Sequence, residues 1–184
     1  MDPYIPWIAP TGTILAAIGS SPSKRLDSQK RFYLQLWGNE LQAVGNALEA
    51  EEQYGLERIG TELQAIGNVT VIGALLLLEG KQEVQLAIKG NLIQALGGAA
   101  ALADELQDDT VSDRAQRVIG HLLQIIGNSL QAVGGFYELK YDSKEGFYKN
   151  NIKAEEGKLI VFSGSWIQAV GSVILALGES QGNK

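Results

Sequence analysis

Few side chains in this chain are equipped for chemistry. His121 is the only histidine and there is no cysteine, so neither a second imidazole nor a thiolate is present to complete a zinc set. His121 follows Gly120 where asparagine usually stands in a repeated phrase described below, and its simplest reading is a substitute for that amide. The acids Glu49, Glu51 and Glu52, and again Asp104, Glu105, Asp108 and Asp109, gather beside turns, where solvated charge is the default reading. The stretch Asp108-Asp109-Thr110-Val111-Ser112-Asp113 lacks the spacing of a calcium loop. Asn68-Val69-Thr70 matches a glycosylation acceptor but falls inside an expected helix. No catalytic residue, metal site or cofactor is assigned, and the chain is read as no enzyme.

The glycines point to packing. They recur at seven-residue spacing as Gly38 and Gly45, Gly60 and Gly67, Gly90 and Gly97, Gly120, Gly127 and Gly134, then Gly164, Gly171 and Gly178. They stand apart within apolar helical segments, unlike the bunched glycines of a phosphate-binding loop. Glycine inside a helix costs about 1 kcal/mol relative to alanine, so this many imply a compensating close approach of helix backbones. The repeated phrase is Gly-Asn-x-Leu-Gln-Ala-(Val/Ile/Leu)-Gly. The expected fold is all-α: an antiparallel helical bundle or repeat array with the heptad glycines at close helix–helix contacts.

On a helix advancing about 100° per residue, with glycine at zero, glutamine falls near 40°, asparagine near 100°, the Val/Ile/Leu position near 240° and leucine near 300°. The polar stripe therefore consists of amides beside the glycine groove: Asn39, Asn46, Asn68, Asn91 and Asn128, with Gln42, Gln64, Gln94, Gln124, Gln131 and Gln168. Three readings stay open. The stripe is solvated, or it forms an interhelical amide ladder, or it lines a water-filled lumen.

Helices are expected at about 29–54, 56–79, 81–106 and 111–139. Gly55, Gly80 and the 107–110 turn separate them, and joints this short force antiparallel neighbours. Thr110 with Asp113 resembles a capping box. Residues 1–28 form an N-terminal half-repeat and linker, 29–139 the array, 140–158 a charged aromatic insertion, and 159–184 a C-terminal half-repeat with its tail. No heptad glycine is recognised between Phe136 and Lys158, where a hairpin turning near Ser143–Gly146 competes with a helix extension. Trp7-Ile8…Gly12…Gly19 echoes Trp166-Ile167…Gly171…Gly178, which makes Trp7 and Trp166 candidates for a subunit interface.

A net charge of −6 without a basic stripe in the repeats argues against nucleic acid. An acid and three early prolines at the N-terminus do not read as a secretory signal, so the expected location is cytoplasmic, with a spore- or membrane-associated variant of that expectation. The phrases Gly45-Asn-Ala-Leu, Leu63-Gln-Ala-Ile-Gly-Asn, Leu130-Gln-Ala-Val-Gly and Ser165-Trp-Ile-Gln-Ala-Val-Gly-Ser resemble uncharacterised glycine-heptad repetitive proteins of Bacillus-type spore-forming bacteria. That resemblance implies a bacterial helical repeat protein and no activity.

The leading expectation is a non-enzymatic structural or self-assembling protein, a homo-oligomer or larger homo-assembly. The alternative is a membrane-active or pore-forming protein. Val118–Tyr137 and Leu159–Gly178 are each about 20 residues without formal charge, the length that spans a bilayer, whereas Glu40, Glu49 and Glu62 speak for a soluble chain.

Overall fold

The computed structural model describes residues 2–22, 25–107, 114–141 and 148–182. They form a short 3-10 turn, Ile5–Trp7, and six α-helices: α1 (Ile8–Gly19), α2 (Ser28–Glu52), α3 (Gly55–Leu77), α4 (Lys81–Glu105), α5 (Arg114–Tyr141) and α6 (Tyr148–Gly182). The described residues contain no strand. The fold is an all-α helical bundle, and each helix packs on its two neighbours in chain order, with α1 against α6 completing a ring. The two terminal elements therefore pair with each other. Thr110, Asp113 and the 143–146 turn lie outside the described residues.

Local chemistry explains the joints. Asp27 caps α2 by accepting a bond from the Lys30 backbone N–H at 2.8 Å. That bond holds its carboxyl below the usual carboxylate range. Gly55 and Gly80 adopt φ of 61° and 59° in the two tightest turns, a backbone region open to glycine and strained for other residues. The first turn of α3 is capped from its neighbour, because Leu56 N–H donates to Asp104 Oδ1 at 3.1 Å.

The ring is assembled from three tight hairpins, and glycine makes each one tight. In α1–α2, a Cβ placed on Gly38 would lie 2.6 Å from Ala16 N and 2.8 Å from Gly12 O. In α3–α4, a Cβ on Gly67 would lie 2.7 Å from Gly90 O, and one on Gly90 2.8 Å from Gly67 O; Gly60 and Gly97 face each other in the same way. In α5–α6, Gly120 opposes Gly171, Gly127 opposes Gly164, and Gly134 opposes Gly157. These are backbone-to-backbone contacts of the kind in which Cα–H groups approach carbonyl oxygens. The pairs between hairpins meet differently: Gly98 and Gly135 receive the side chains of Ile125 and Ile88.

Gly157 corrects the reading of the insertion. It stands seven residues before Gly164 and extends the heptad into 140–158, so α6 begins at Tyr148, well before the expected 159. The charges around Gly157 hide the period because that end of the helix faces solvent: Glu155, Glu156 and Lys158 are exposed while Gly157 is buried.

Substitutions at the glycines separate contact from open space. Gly67→Ala and Gly127→Ala should both destabilise the protein, and the leucine variants should cost about 1–3 kcal/mol or more by overpacking. Gly73, where an added methyl group would meet nothing within 4 Å, should gain about 0.4–1 kcal/mol as Gly73→Ala. Thermal and denaturant unfolding of these variants checks the order.

Candidate functional site

Closing six helices into a ring gives each an inward face, and on α2 to α6 that face is largely polar. Asn39, Gln42 and Asn46 of α2, Gln64 and Asn68 of α3, Gln94 of α4, Gln124 and Asn128 of α5, and Ser165, Gln168 and Ser172 of α6 are all buried. The Val/Ile/Leu position of the same phrase points outward. Val44, Ile66, Leu96, Ile126, Val133 and Val170 are all exposed. The amide stripe is thus the lining of the bundle and the aliphatic arc is its exterior, the reverse of a water-soluble helix.

Many of the amides are bonded, in one of two ways. Some bond to their own helix: Asn39 Nδ2 donates to Gln35 O at 2.8 Å, Gln42 Nε2 to Gly38 O at 3.2 Å, and Asn68 Nδ2 to Gln64 O at 2.9 Å. Others join across the interior. Gln168 Nε2 donates to Gln42 Oε1 at 2.9 Å and to Gln94 Oε1 at 3.2 Å, while its own Oε1 accepts from Gln131 Nε2 at 2.8 Å. Ser165 Oγ donates to Gln131 Oε1 at 3.2 Å. This node ties α2, α4, α5 and α6 together through a glutamine that both donates and accepts.

The node partitions the lumen. Toward the end formed by the C-termini of α1, α3 and α5 lies a cavity of about 110 Å³ lined by Gln35, Asn39, Asn91 and the node amides. It shares walls with a vestibule of about 510 Å³, where Arg31, Glu83, Glu138, Glu155 and Lys158 stand. At the opposite end is a chamber of only about 10 Å³, lined by Asn46, Glu49, Gln53, Thr61, Gln64, His121, Gln124, Ser172 and Glu179. His121 is 3% exposed, and neither of its ring nitrogens finds a partner among the described residues; Gln124 Oε1 is likewise unpaired.

That end is closed by ion pairs. Arg117 of α5 bonds through Nε to Glu105 of α4 and through Nη2 to Glu57 of α3, and its Nη1 lies 3.8 Å from Glu179 of α6. Arg114 holds the carbonyls of Glu105 and Leu106 at the end of α4. Glu49 and Glu105, read from sequence as solvated charge, are buried, at 6% and 5% exposure. Both lie on the amide face of their helices: Glu49 follows Asn46 by three residues and Gln42 by seven. That shared face is the signal that could have marked them. Trp7 and Trp166 sit on the outer surface, at 37% and 39% exposure. No group of histidines and acids suited to a metal ion occurs among the described residues.

Because the Gln168 side chain makes three amide bonds at the node, Gln168→Leu should leave Gln42 Oε1, Gln94 Oε1 and Gln131 Nε2 without it, at about 1–3 kcal/mol for each group that stays unpaired. Gln168→Glu should also destabilise, because a carboxylate cannot donate to the two oxygens it faces. Equal unfolding midpoints for both variants and the parent would show that the node contributes nothing.

No curated protein and no solved structure matches the chain at a significant level. A family model matches residues 6–176, from the 3-10 turn to near the end of α6. The chain therefore belongs to DUF6944, a family of unknown function.

Proposed function

We propose that this protein is an integral membrane protein whose helical ring encloses a polar lumen for water or a small polar solute. The observation that carries the reading is the inverted polarity: amides, histidine and acids inside, and aliphatic and aromatic side chains outside, among them Ile59, Ile66, Val69, Leu92, Leu96, Ile119, Ile126, Val133 and Val170. In water such an exterior is unfavourable, because contiguous exposed apolar surface on soluble monomers rarely exceeds a few hundred Å². In hydrocarbon it is the expected one.

The dimensions agree. Helices α3, α4 and α6 are each long and apolar enough to cross a membrane. The charge-free stretch of α5, Val118–Tyr137, rises about 30 Å at 1.5 Å per residue, the thickness of a bilayer's hydrocarbon core. Exposed aromatic residues flank the belt, with Tyr4, Trp7 and Tyr54 toward the Arg117 end and Tyr33, Phe136 and Tyr137 toward the vestibule, as interfacial anchors do. Lysine and arginine are concentrated at the vestibule end, in Arg25, Lys30, Arg31, Lys81, Lys140, Lys153 and Lys158. The positive-inside bias would turn that end to the cytoplasm.

A second reading, a soluble homo-assembly in which copies cover one another's apolar exteriors, is favoured by Glu40. This acid lies half-buried midway along α2, within the belt. Trp7 and Trp166 would then be subunit anchors.

Membrane extraction distinguishes the two. The integral reading predicts that the protein sediments with membranes, resists carbonate, dissolves only in detergent, and makes liposomes permeable to a small polar solute or water. Recovery in the aqueous fraction as a large assembly would overturn it in favour of self-association.

A further inference from the structure

Backbone carbonyls, which only accept, fix the orientation of the amides around the Gln168 node. Gln42 Nε2 donates to Gly38 O, so the Gln42 side-chain oxygen is left for the node. Gln168 must present its amino group to that oxygen, and the same amino group meets Gln94 Oε1. The amino group of Gln94 is thereby left outside the bonds of the node. In the same way Asn39 Nδ2 is engaged by Gln35 O and Gln35 Nε2 by Gly19 O at 3.3 Å, which leaves the side-chain oxygens of both without a donor.

All of these residues line the cavity of about 110 Å³ between the node and the vestibule. Gln94 is 3% exposed and Asn39 8%, yet Gln94 Nε2 and Asn39 Oδ1 have no bonding partner among the described residues. Neither do Gln35 Oε1 or the two ends of the Asn91 amide. The cavity thus offers three unbonded oxygens, on Gln35, Asn39 and Asn91, and two unbonded amino groups, on Asn91 and Gln94. The hydroxyls of Ser20 and Ser165 on its wall already donate elsewhere. Buried amides left unbonded are costly, so a ligand that bonds to them is stabilised there.

Size, charge and bonding capacity select that ligand. The volume is several times the roughly 10–15 Å³ that holds one water and less than the roughly 150 Å³ that admits benzene, which suits a molecule of about four or five heavy atoms. No charged side chain lines the cavity among the described residues, and an ion moved there from water gains no partner for its charge. Unbonded oxygens outnumber unbonded amino groups, so the fitting molecule donates at least as freely as it accepts. A primary amide or a urea does so through its NH2 groups, whereas each hydroxyl of a polyol carries one hydrogen against two lone pairs. Gln35, Asn91 and Gln131 also line the vestibule, which supplies the route in.

We propose that this cavity binds a small uncharged amide of the urea type, its carbonyl accepting from Gln94 and Asn91 and its NH2 groups donating to Gln35 and Asn39. The inference rests on the lumen reading above and names the solute.

Saturation-transfer NMR of the full chain, in whichever phase extraction places it, tests the site with acetamide, whose methyl protons do not exchange with water. Transfer to the methyl group is expected in the parent, and urea should displace it at concentrations below those that unfold the chain. At the same concentrations three competitors should fail: guanidinium, a charged isostere of urea; tetramethylurea, which has no N–H; and glycerol. Asn91→Leu removes a side chain that makes no bond in the fold and should weaken acetamide binding by about tenfold, the scale of one or two hydrogen bonds. Gly73→Ala, in open space, should leave binding unchanged. The competitor series uses the parent alone and decides the matter even if Asn91→Leu does not fold.

No transfer to acetamide in the parent would leave the cavity to water and overturn the proposal. Displacement by guanidinium or glycerol as effective as displacement by urea would also overturn it, assigning the cavity to cations or to polyols. So would unweakened binding by a folded Asn91→Leu variant. Urea-displaceable acetamide in an aqueous, carbonate-extractable protein would overturn the membrane reading and keep the amide site. A membrane-embedded protein that passes water or another polar solute without binding acetamide would do the reverse.

Discussion

Backbone contact between opposed glycines is the constraint on which the rest of the structure depends. Where Gly67 meets Gly90, or Gly127 meets Gly164, carbonyl oxygens occupy the space that a Cβ would need. Such an approach holds two antiparallel helices at one register, since sliding by a residue would bring a side chain such as Ile66 or Asn68, Ile126 or Asn128, against the opposing backbone. Three hairpins are made this way. The seams between them rely on side chains such as Ile125 against Gly98 and Ile88 against Gly135, and packing by interdigitated side chains is more tolerant of substitution than backbone contact.

The position of the amides follows from that contact. Glutamine lies about 40° and asparagine about 100° from the glycine around the helix, so a neighbour seated on glycine places both amides beside the seam. Closing the ring then turns them inward. Once inside they must be bonded, because an unpaired buried amide costs more than a bond returns. The helix carbonyl four residues earlier serves Asn39, Gln42 and Asn68, and the node around Gln168 joins Gln42, Gln94 and Gln131. Asn68 Oδ1, Asn128 Nδ2 and Gln124 Oε1 remain without partners among the described residues, which marks the lining as polar beyond what the helices themselves satisfy.

Inside and outside are linked by the same geometry. If the amides face the axis, the Val/Ile/Leu position roughly opposite them faces out, and the bundle presents aliphatic side chains along most of its length, with clusters of charge at the two ends and Glu40 and Lys89 between them. One end carries the Arg117 cluster and the other the basic residues around the vestibule. The ring thus has a polar lining and an apolar coat. The family match over residues 6–176 covers the ring nearly whole.

The bounds of the helices joined at Gly55 and Gly80, the antiparallel order and the glycine contacts were legible in the sequence, because a seven-residue period and short glycine joints are local signals. The helices expected at 56–79 and 81–106 are found at 55–77 and 81–105. Gly157 was missed because charged neighbours masked its place in the period. What the sequence could not decide was which side of each helix faces the axis. An amphipathic pattern defines two faces without saying which is inward, and the amide stripe read foremost as solvated or paired, with a lumen as the third reading. Nor could it show that Glu49, Glu57, Glu105, Arg117, His121 and Glu179, spread over five helices, share one end of the lumen. Local composition determined the helices and their contacts; the burial of polar groups and the chamber they form exist only once α1 meets α6 and the ring closes.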